Sequence, residues 1–243
     1  MRRYPGEVWF LPPDAQHGGD SKARRHVLLT TCEDAGDIGV FAYASTQPTE
    51  ANFGAASLLV VPGASRYDHS GFSKPTYVYP GRLVPAVSED FLRMVGRLID
   101  EMPELRRLLR KALGFGTGTS LGQGSAAGSW RGRVVEIGAV LRQYIGYAHG
   151  VVLTEPEYSR QARYQVIVPI DDIRAFEPAA DDLVITDAEW FRELDSEMPA
   201  ALVAIADVQS VFHPAEIVGW TGVVVDDATI ARIEAALAAL FAL

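Results

Sequence analysis

The sequence contains one cysteine, Cys32, so no disulfide bond can form within the chain. It also lacks a long apolar run: the longest, residues 235–243, is far below the roughly 20 residues of a membrane-spanning helix and continues an amphipathic pattern. No apolar segment of the signal-peptide type follows residues 1–5. We therefore expect a cytoplasmic protein without disulfide bonds and without a membrane span.

Signatures of several enzyme classes are missing as well. His69 and His213 have no histidine, cysteine or carboxylate at the spacing of metal ligands, so we expect neither a metal site nor a cofactor. No Ser-His-Asp arrangement follows from the spacing. The glycine-rich stretch 114–129 lacks the Gly-Lys-Ser/Thr end of a P-loop, so it is interpreted as a flexible connector, with a phosphate-binding loop as the alternative.

Charge is distributed unevenly along the chain. The net charge is −9, but residues 1–125 carry 14 basic and 13 acidic side chains, whereas residues 126–243 carry 8 and 18. Lys22, Arg24 and Arg25 form a basic cluster, so any contact with a phosphate backbone is expected in the first part. The alternative is a solvated acidic surface without functional meaning.

The segments on either side of the glycine-rich stretch have strand-like runs in the same order. These runs are rich in β-branched and aromatic residues, which are typical of strands. They cover residues 6–11, 26–31 and 38–44 in the first segment, and residues 132–137, 150–154 and 164–170 in the second. The order predicts two similar domains, residues 1–112 and 131–243, joined by a linker over residues 113–130.

Each domain is expected to end in an amphipathic helix. Ser88 begins a helical pattern that continues to Met102, Pro103 ends or kinks it, and residues 104–113 resume it. Asp226 offers the N-cap of a last helix, whose apolar face holds Ile230, Ile233, Leu237 and Leu240. We expect these faces in the core rather than against a partner. The sequence therefore predicts a mainly β fold with peripheral helices, of the α+β class.

Short motifs resemble those of the MazF/PemK (Kid) family of bacterial toxins. Residues 4–9 (Tyr-Pro-Gly-Glu-Val-Trp) are similar to the family's first strand, residues 24–30 to its Arg-Pro strand, and residues 43–47 to its Pro-x-Thr-Thr-Gln turn. In the second half, residues 203–210 resemble its Ala-Asp-Gln-x-Lys/Arg-Ser/Thr strand, and residues 218–240 resemble its end. The resemblance implies two SH3-like β-barrels of the MazF/PemK/CcdB type, which form a pseudo-dimer within one chain.

The resemblance also implies a function. Family members belong to type II toxin–antitoxin systems, and the RNases among them cleave single-stranded RNA without a metal. A strand arginine stabilises charge on the scissile phosphate, which suits its planar and permanently charged guanidinium, and a nearby hydroxyl or histidine assists. We therefore expect a metal-independent endoribonuclease whose partners are single-stranded RNA and an antitoxin protein.

The resemblance assigns site residues by their position in the family's motifs. Arg25 occupies the arginine position, Ser45 the catalytic hydroxyl position, and His17 lies close to a histidine with an acid/base role. The further candidates for RNA contacts are Lys22, Arg24, Thr46 and Gln47.

The sequence also departs from the family pattern. His26 replaces the proline after the arginine, and residues 77–82 lack the family's aspartate. In the second half, His149-Gly150 replaces Arg-Pro, and Ile170-Asp171 replaces the catalytic hydroxyl, where an aspartate would repel phosphate. We expect the second half to be a degenerate copy that serves pairing or regulation, and Asp207 in it to be structural.

Two other functions stay open. A non-catalytic protein of the same fold would inhibit DNA gyrase or act as a scaffold or regulator in a toxin or phage-defence locus. A catalytically inactive structural protein is favoured if Arg25 is held in an internal ion pair. At the level of single residues, Arg24 and Arg25 are alternatively a solvated pair, Ser45 and Thr46 a turn stabilised by hydroxyls, and His17 a surface histidine.

Overall fold

The structure, a computed structural model, describes residues 2–13, 22–34, 36–48, 57–115, 130–154, 164–212 and 216–243. Within these residues the protein is mainly β, with two antiparallel sheets and few helices. The first sheet contains β1 (Glu7–Leu11), β2 (Arg24–Leu28), β3 (Ile38–Ser45), β4 (Leu58–Val60), β5 (Thr76–Val87) and β6 (Arg93–Arg97). The second contains β7 (Arg133–Ile137), β8 (His149–Val152), β9 (Tyr164–Asp172), β10 (Leu183–Ile185), β11 (Ala201–Val203), β12 (Gln209–Phe212) and β13 (Ile217–Val224).

The helices are α1 (Met102–Ala112), α2 (Ala139–Ile145), α3 (Trp190–Leu194) and α4 (Asp227–Phe241). In the described part of the chain, no helix is long and apolar enough to cross a membrane. The helices predicted for residues 104–113 and after Asp226 are confirmed as α1 and α4, and the Asp226 side chain accepts the N-cap hydrogen bond from Thr229 N.

The two sheets have the same strand order. Among the described residues the first runs β4-β5-β3-β2-β1-β6 and the second runs β10-β11-β9-β8-β7-β13. β12 also pairs with β9, so β11 and β12 together correspond to the long strand β5. α1 follows β6 as α4 follows β13. We call residues 2–115 the first repeat and residues 130–243 the second repeat.

Each repeat begins with a glycine turn. Gly6 and Gly132 have φ angles of 92° and 77°, in the left-handed region that favours glycine because it has no Cβ. Gly6 N donates to Leu28 O over 2.8 Å, and Gly6 O accepts from Leu98 N over 2.7 Å. The second repeat has the same two bonds, between Gly132 and residues Val152 and Val225. Each glycine thus connects the first strand of its repeat to the strands on both sides.

A buried threonine recurs in the same way. Thr30 Oγ1 accepts a hydrogen bond from Val40 N at 3.0 Å, and Thr154 Oγ1 accepts one from Val166 N at 2.7 Å. Both threonines are buried. Backbone N–H groups inside a protein need an acceptor, and these hydroxyls provide it at matching places in the two sheets.

One large apolar core joins the two repeats. It takes side chains from both sheets and from α1 and α4, among them Val27, Leu105, Val151 and Ile233. Each sheet also packs a smaller cluster on its other face, around Phe41 in the first repeat and around Ile167 in the second. Because burial of apolar surface is the main favourable term in folding, each repeat stabilises the other.

Polar contacts join the repeats where their long strands are interrupted. The pairing of β5 with β3 breaks over residues 80–82, and a 3-10 turn at Ile205–Asp207 separates β11 from β12 in the second repeat. Ser210 Oγ accepts from Leu83 N at 2.8 Å and donates to Gly81 O at 3.2 Å. A hydroxyl of the second repeat therefore satisfies backbone groups that the bulge in the first repeat leaves unpaired.

The predicted helix from Ser88 to Met102 is wrong. Residues Ser88–Asp90 form one 3-10 turn, and the following residues form β6, which pairs with β1. The apolar spacing matches a helix, but pairing with β1 outweighs this local pattern. Pro103 lies in the first turn of α1, where its missing N–H costs nothing, and so it does not end a helix.

Replacing either buried threonine by valine keeps the volume and leaves one buried N–H without an acceptor. We expect Thr30→Val and Thr154→Val each to lower the free energy of unfolding by about 1–3 kcal/mol, and by similar amounts. Urea unfolding followed by circular dichroism measures both. The exposed Thr31→Val is the control and should stay within about 0.5 kcal/mol of the wild type. A large loss in one repeat and none in the other would contradict the equivalence.

A candidate nucleic-acid interface

Three neighbouring strands of the first sheet place two arginines and an aromatic ring in one row. Phe10 in β1 is paired with Arg25 in β2 and with Arg93 in β6. The guanidinium carbon of Arg25 lies 5.0 Å from the centre of the Phe10 ring, and that of Arg93 lies 5.5 Å from it. Both contacts are within the range of a cation–π interaction, about 6 Å. We call these three residues the arginine–phenylalanine row.

The two arginines of the row have charge available for a ligand. Within the described residues, neither guanidinium forms an ion pair with a carboxylate. Arg93 is exposed, and the Arg25 Nε is shielded from solvent without a hydrogen-bond partner in that part of the chain. A guanidinium without a carboxylate partner keeps its charge available to an anionic ligand. The internal ion pair that would favour a purely structural Arg25 is not observed there.

The matching place in the second repeat has the opposite chemistry. Glu136 stands four residues after Gly132, as Phe10 stands four after Gly6, and it pairs with His149 in β8 and Gly219 in β13. His149 thus corresponds to Arg25, as the sequence alignment of the halves predicts. Burial lowers the pKa of His149 and favours its neutral form. This position therefore presents a carboxylate and no guanidinium.

Ser45 lies on the other face of the sheet from Arg25. Side chains alternate along a strand, so Arg25 and its neighbour His26 point to opposite faces. His26 is paired with Tyr43, their ring centres are 5.6 Å apart, and Ser45 shares the face of Tyr43. The structure therefore does not bring Arg25 and Ser45 to one phosphate position. Ser45 Oγ instead accepts from Gln47 N at 3.1 Å, which is the turn that the alternative interpretation predicts.

The other predicted site residues are dispersed. Arg24 lies on the face of β2 that also holds His26, and so shares the face of Ser45. The exposed candidates flank the strands: Lys22 precedes β2, and Thr46 and Gln47 follow β3. His17 lies outside the described residues.

Phe10 and Arg93 are candidates that sequence reasoning missed. Phe10 belongs to a correctly predicted strand, but the strand pattern does not single it out. Arg93 lies in the segment that the apolar spacing predicts to be helical, so the sequence does not reveal its proximity to β1. The signal that could have found it is the Arg-x-Val-x-Arg alternation of residues 93–97, which also fits an edge strand.

A tyrosine-rich cluster lies where the two repeats meet. The guanidinium carbon of Arg82 is 3.9 Å from the ring centre of Tyr43 and 4.4 Å from that of Tyr164, and Arg82 is buried. Tyr77 and Tyr79 pack beside these rings. Stacking between aromatic faces offsets part of the cost of burying a charge. This arginine therefore joins the repeats, and it is not exposed to a ligand.

The second repeat contains an acid–phenol pair in which Tyr147 is buried and Asp207 is half-buried. Tyr147 Oη donates a hydrogen bond to Asp207 Oδ2 over 2.7 Å. Burial raises the pKa of Asp207, and the hydrogen bond from Tyr147 opposes this shift only in part. Burial and the Asp207 charge likewise raise the pKa of Tyr147. The pair holds the 3-10 turn that contacts the first repeat.

Comparison with known proteins adds no further information on this site. No protein-family model matches the chain, and no curated protein matches it.

Asp207→Asn should remove a pH-dependent part of the stability. Because folding raises the pKa of Asp207, the folded protein binds this proton more tightly than the unfolded chain does. The stabilisation is complete below the ordinary aspartate pKa of about 4 and is lost as the pH rises through the folded value. We expect the wild type to lose stability relative to Asp207→Asn as the pH rises from about 3 to 7.

Urea unfolding at several pH values measures this difference. The exposed Asp181→Asn is the matched control, with the same change of side chain in a solvated position. An Asp207→Asn difference that stays constant with pH would contradict the prediction.

Proposed function

We propose that the protein binds single-stranded RNA through the arginine–phenylalanine row of the first repeat. The observation that carries the proposal is the placement of Phe10 between Arg25 and Arg93 on three paired strands. A guanidinium binds phosphate oxygens through its fork of N–H donors. An aromatic ring stacks against any base. The row thus offers both contacts that a single strand needs.

The spacing of the row suits a nucleotide chain. Neighbouring strands lie about 4.8 Å apart, so the backbones that carry Arg25 and Arg93 are roughly 10 Å apart with the ring between them. A base that stacks on Phe10 would therefore have a guanidinium on either side. The partly exposed ring and the exposed Arg93 leave this position accessible.

The charge difference between the repeats directs RNA to the first one. The first part of the chain is nearly neutral, whereas residues 126–243 carry ten more acidic than basic side chains. At the position of the row, the second repeat has Glu136, which would repel a phosphate. The proposal therefore assigns binding to one repeat and leaves the second to complete the shared core.

The resemblance to MazF/PemK toxins supports this proposal. In that family RNA lies across a homodimer, and two repeats with one strand order would provide a fused pair with one degenerate copy. On this proposal the chain is a toxin-type protein in which two SH3-like barrels form a pseudo-dimer.

Loss of either arginine should weaken RNA binding. We expect Arg25→Gln and Arg93→Gln each to raise the Kd for a fluorescein-labelled hexauridylate by about tenfold, because a charged hydrogen bond to phosphate is lost. The slope of log Kd against log salt should fall by about 0.7 for each variant. Fluorescence anisotropy over a range of salt concentrations measures both quantities.

Two controls separate this site from general charge. Arg174→Gln removes one exposed guanidinium from the second repeat and should leave the Kd unchanged within twofold. Phe10→Leu keeps an apolar side chain and should weaken binding without a change in the salt slope, because it removes stacking alone. Equal losses of RNA affinity in Arg174→Gln and Arg25→Gln would contradict the assignment of binding to the row.

A second candidate function is cleavage of the bound RNA. The observation that favours it is that Arg24 and Ser45 share one face of the first sheet, which brings a guanidinium and a hydroxyl to one side; His26 lies on this face too but is fully buried. On this hypothesis Arg24 stabilises the charge that develops on the phosphate, and Arg25 only binds the strand.

Steady-state kinetics separate the two arginines. If the first repeat cleaves RNA, Arg24→Gln should lower kcat by about 10²–10³, because a contact made in the transition state is lost. Arg25→Gln should mainly raise KM. The assay uses mixed-sequence RNA with EDTA, and Asp171→Ala in the second repeat is the control that should stay active. Binding without any cleavage would remove this candidate and leave the binding function intact.

A further inference from the structure

A cavity of about 700 Å³ opens beside β6 in the first repeat. Its size is within the usual range of ligand sites, roughly 300–1,000 Å³. It lies between β6, the loop at residues 68–71 and the start of α1. Gly96 in its wall is paired with Val8, which lies two residues before Phe10 on the same face of β1, so the cavity lies farther along β6 from the arginine–phenylalanine row.

The backbone of the cavity is held rigidly. Arg97 N donates to His69 O at 2.7 Å, which joins the loop to β6. Gly71 and Gly96 face each other so closely that a Cβ on Gly71 would lie 2.1 Å from Val95 O, and one on Gly96 would lie 2.2 Å from the Ser70 backbone. Only glycine permits this approach. A preformed wall of this kind lowers the entropic cost of binding.

One wall of the cavity pairs an acceptor with a donor. The Glu101 side chain is only 4% exposed, and its Oε1 lies 3.6 Å from Arg66 Nε. This separation is longer than a hydrogen bond, and Glu101 lines the cavity, so its carboxylate can accept from a ligand there. A carboxylate only accepts and a guanidinium only donates. The wall therefore matches a ligand edge on which N–H donors lie next to a carbonyl oxygen.

The remaining side chains that line the cavity disfavour a phosphate and favour a flat, largely apolar ligand. The carboxylates of Asp68, Asp100 and Glu101 outnumber the guanidiniums of Arg66 and Arg97, so an anion gains nothing there. Met94 and Ile99 present exposed apolar surface beside them, at 39% and 55% exposure. A neutral ring with polar edges fits this lining.

We infer that the cavity binds one guanine base of the RNA strand whose phosphates lie on the arginine–phenylalanine row. The inference rests on the proposed RNA binding and adds a base preference to it. The Watson–Crick edge of guanine carries two N–H donors beside O6: the amino group and N1–H face the Glu101 carboxylate, and O6 faces Arg66. Adenine and cytosine place a ring acceptor against the carboxylate, and uracil flanks its single N–H with two carbonyls. Each of these edges matches the wall less well.

The test compares labelled RNA hexamers that differ at one position. Hexauridylate reports binding by the row alone, and the same hexamer with one internal guanine reports the cavity. We expect the guanine hexamer to bind about tenfold more tightly than hexauridylate, and adenine or cytosine at that position to bind like uracil. Inosine lacks the amino group, so it should lose most of the gain. Fluorescence anisotropy at one fixed salt concentration measures each Kd.

Variants then locate the preference. Glu101→Gln should abolish the advantage of guanine without a change in the affinity for hexauridylate. Arg66→Met changes an exposed side chain, so it should fold and should reduce the advantage several-fold. Glu193→Gln, at an exposed position in the second repeat, is the matched control and should keep the full preference. The affinity for hexauridylate also reports whether each variant is folded.

The possible outcomes separate the two proposals. If the wild type binds guanine and uracil hexamers equally, or prefers adenine as strongly, the guanine assignment is overturned and RNA binding by the row stands. A preference that persists in both Glu101→Gln and Arg66→Met also overturns it, since the base is then read elsewhere. If hexauridylate does not bind at all, the proposed function fails and this inference fails with it.

Discussion

The register of β1 is the constraint on which the candidate interface depends. Gly6 adopts a left-handed φ and hydrogen-bonds to Leu28 on one side and to Leu98 on the other. These two bonds set how β1 aligns with β2 and how its pairing with β6 begins, and a bulge between Val8 and Trp9 then shifts the β6 register by one residue. A shift of one residue would turn the Phe10 ring to the other face of the sheet, away from both arginines. The row therefore depends on the glycine turn four residues earlier together with this bulge.

The same constraint gives a different result in the second repeat. Gly132 makes the equivalent bonds, and β7 aligns with β8 as β1 aligns with β2. Four residues later the side chain is Glu136, and its partner is His149. The same pairing of the first two strands thus presents positive side chains in the first repeat and a negative one in the second. Because the side chains differ while the backbone pairing is shared, one repeat offers a surface for phosphates and the other contributes packing.

The junction between the repeats combines a shared apolar core with a few specific polar contacts. Ser210 satisfies backbone groups of the bulge in β5, and Arg82 is stacked between tyrosines of both repeats. The buried guanidinium of Arg131 adds contacts to Leu113 O and to the Glu234 carboxylate. Buried polar groups must find partners, so such contacts specify one arrangement of the repeats, whereas apolar packing alone tolerates several.

Much of the architecture could be predicted from the sequence by itself. Strand runs at residues 6–11, 38–44, 132–137 and 164–170, their repeated order, and the last helix all follow from local patterns that the structure retains. The alignment of His149 with Arg25 is also visible in the sequence. These features depend on neighbours within one strand or helix turn, and residue type determines them directly.

Tertiary structure alone decided the composition of the candidate site. Residues 91–99 have helical spacing, yet part of this segment is β6, because pairing with β1 outweighs a local preference. Arg25 and Ser45 are the central site residues that the sequence predicts, but they lie on opposite faces because side chains alternate along paired strands. The pairing of Phe10 with Arg93, and of Glu101 with Arg66, joins residues that are far apart in the chain. Such contacts depend on register and packing between elements, which no local pattern contains.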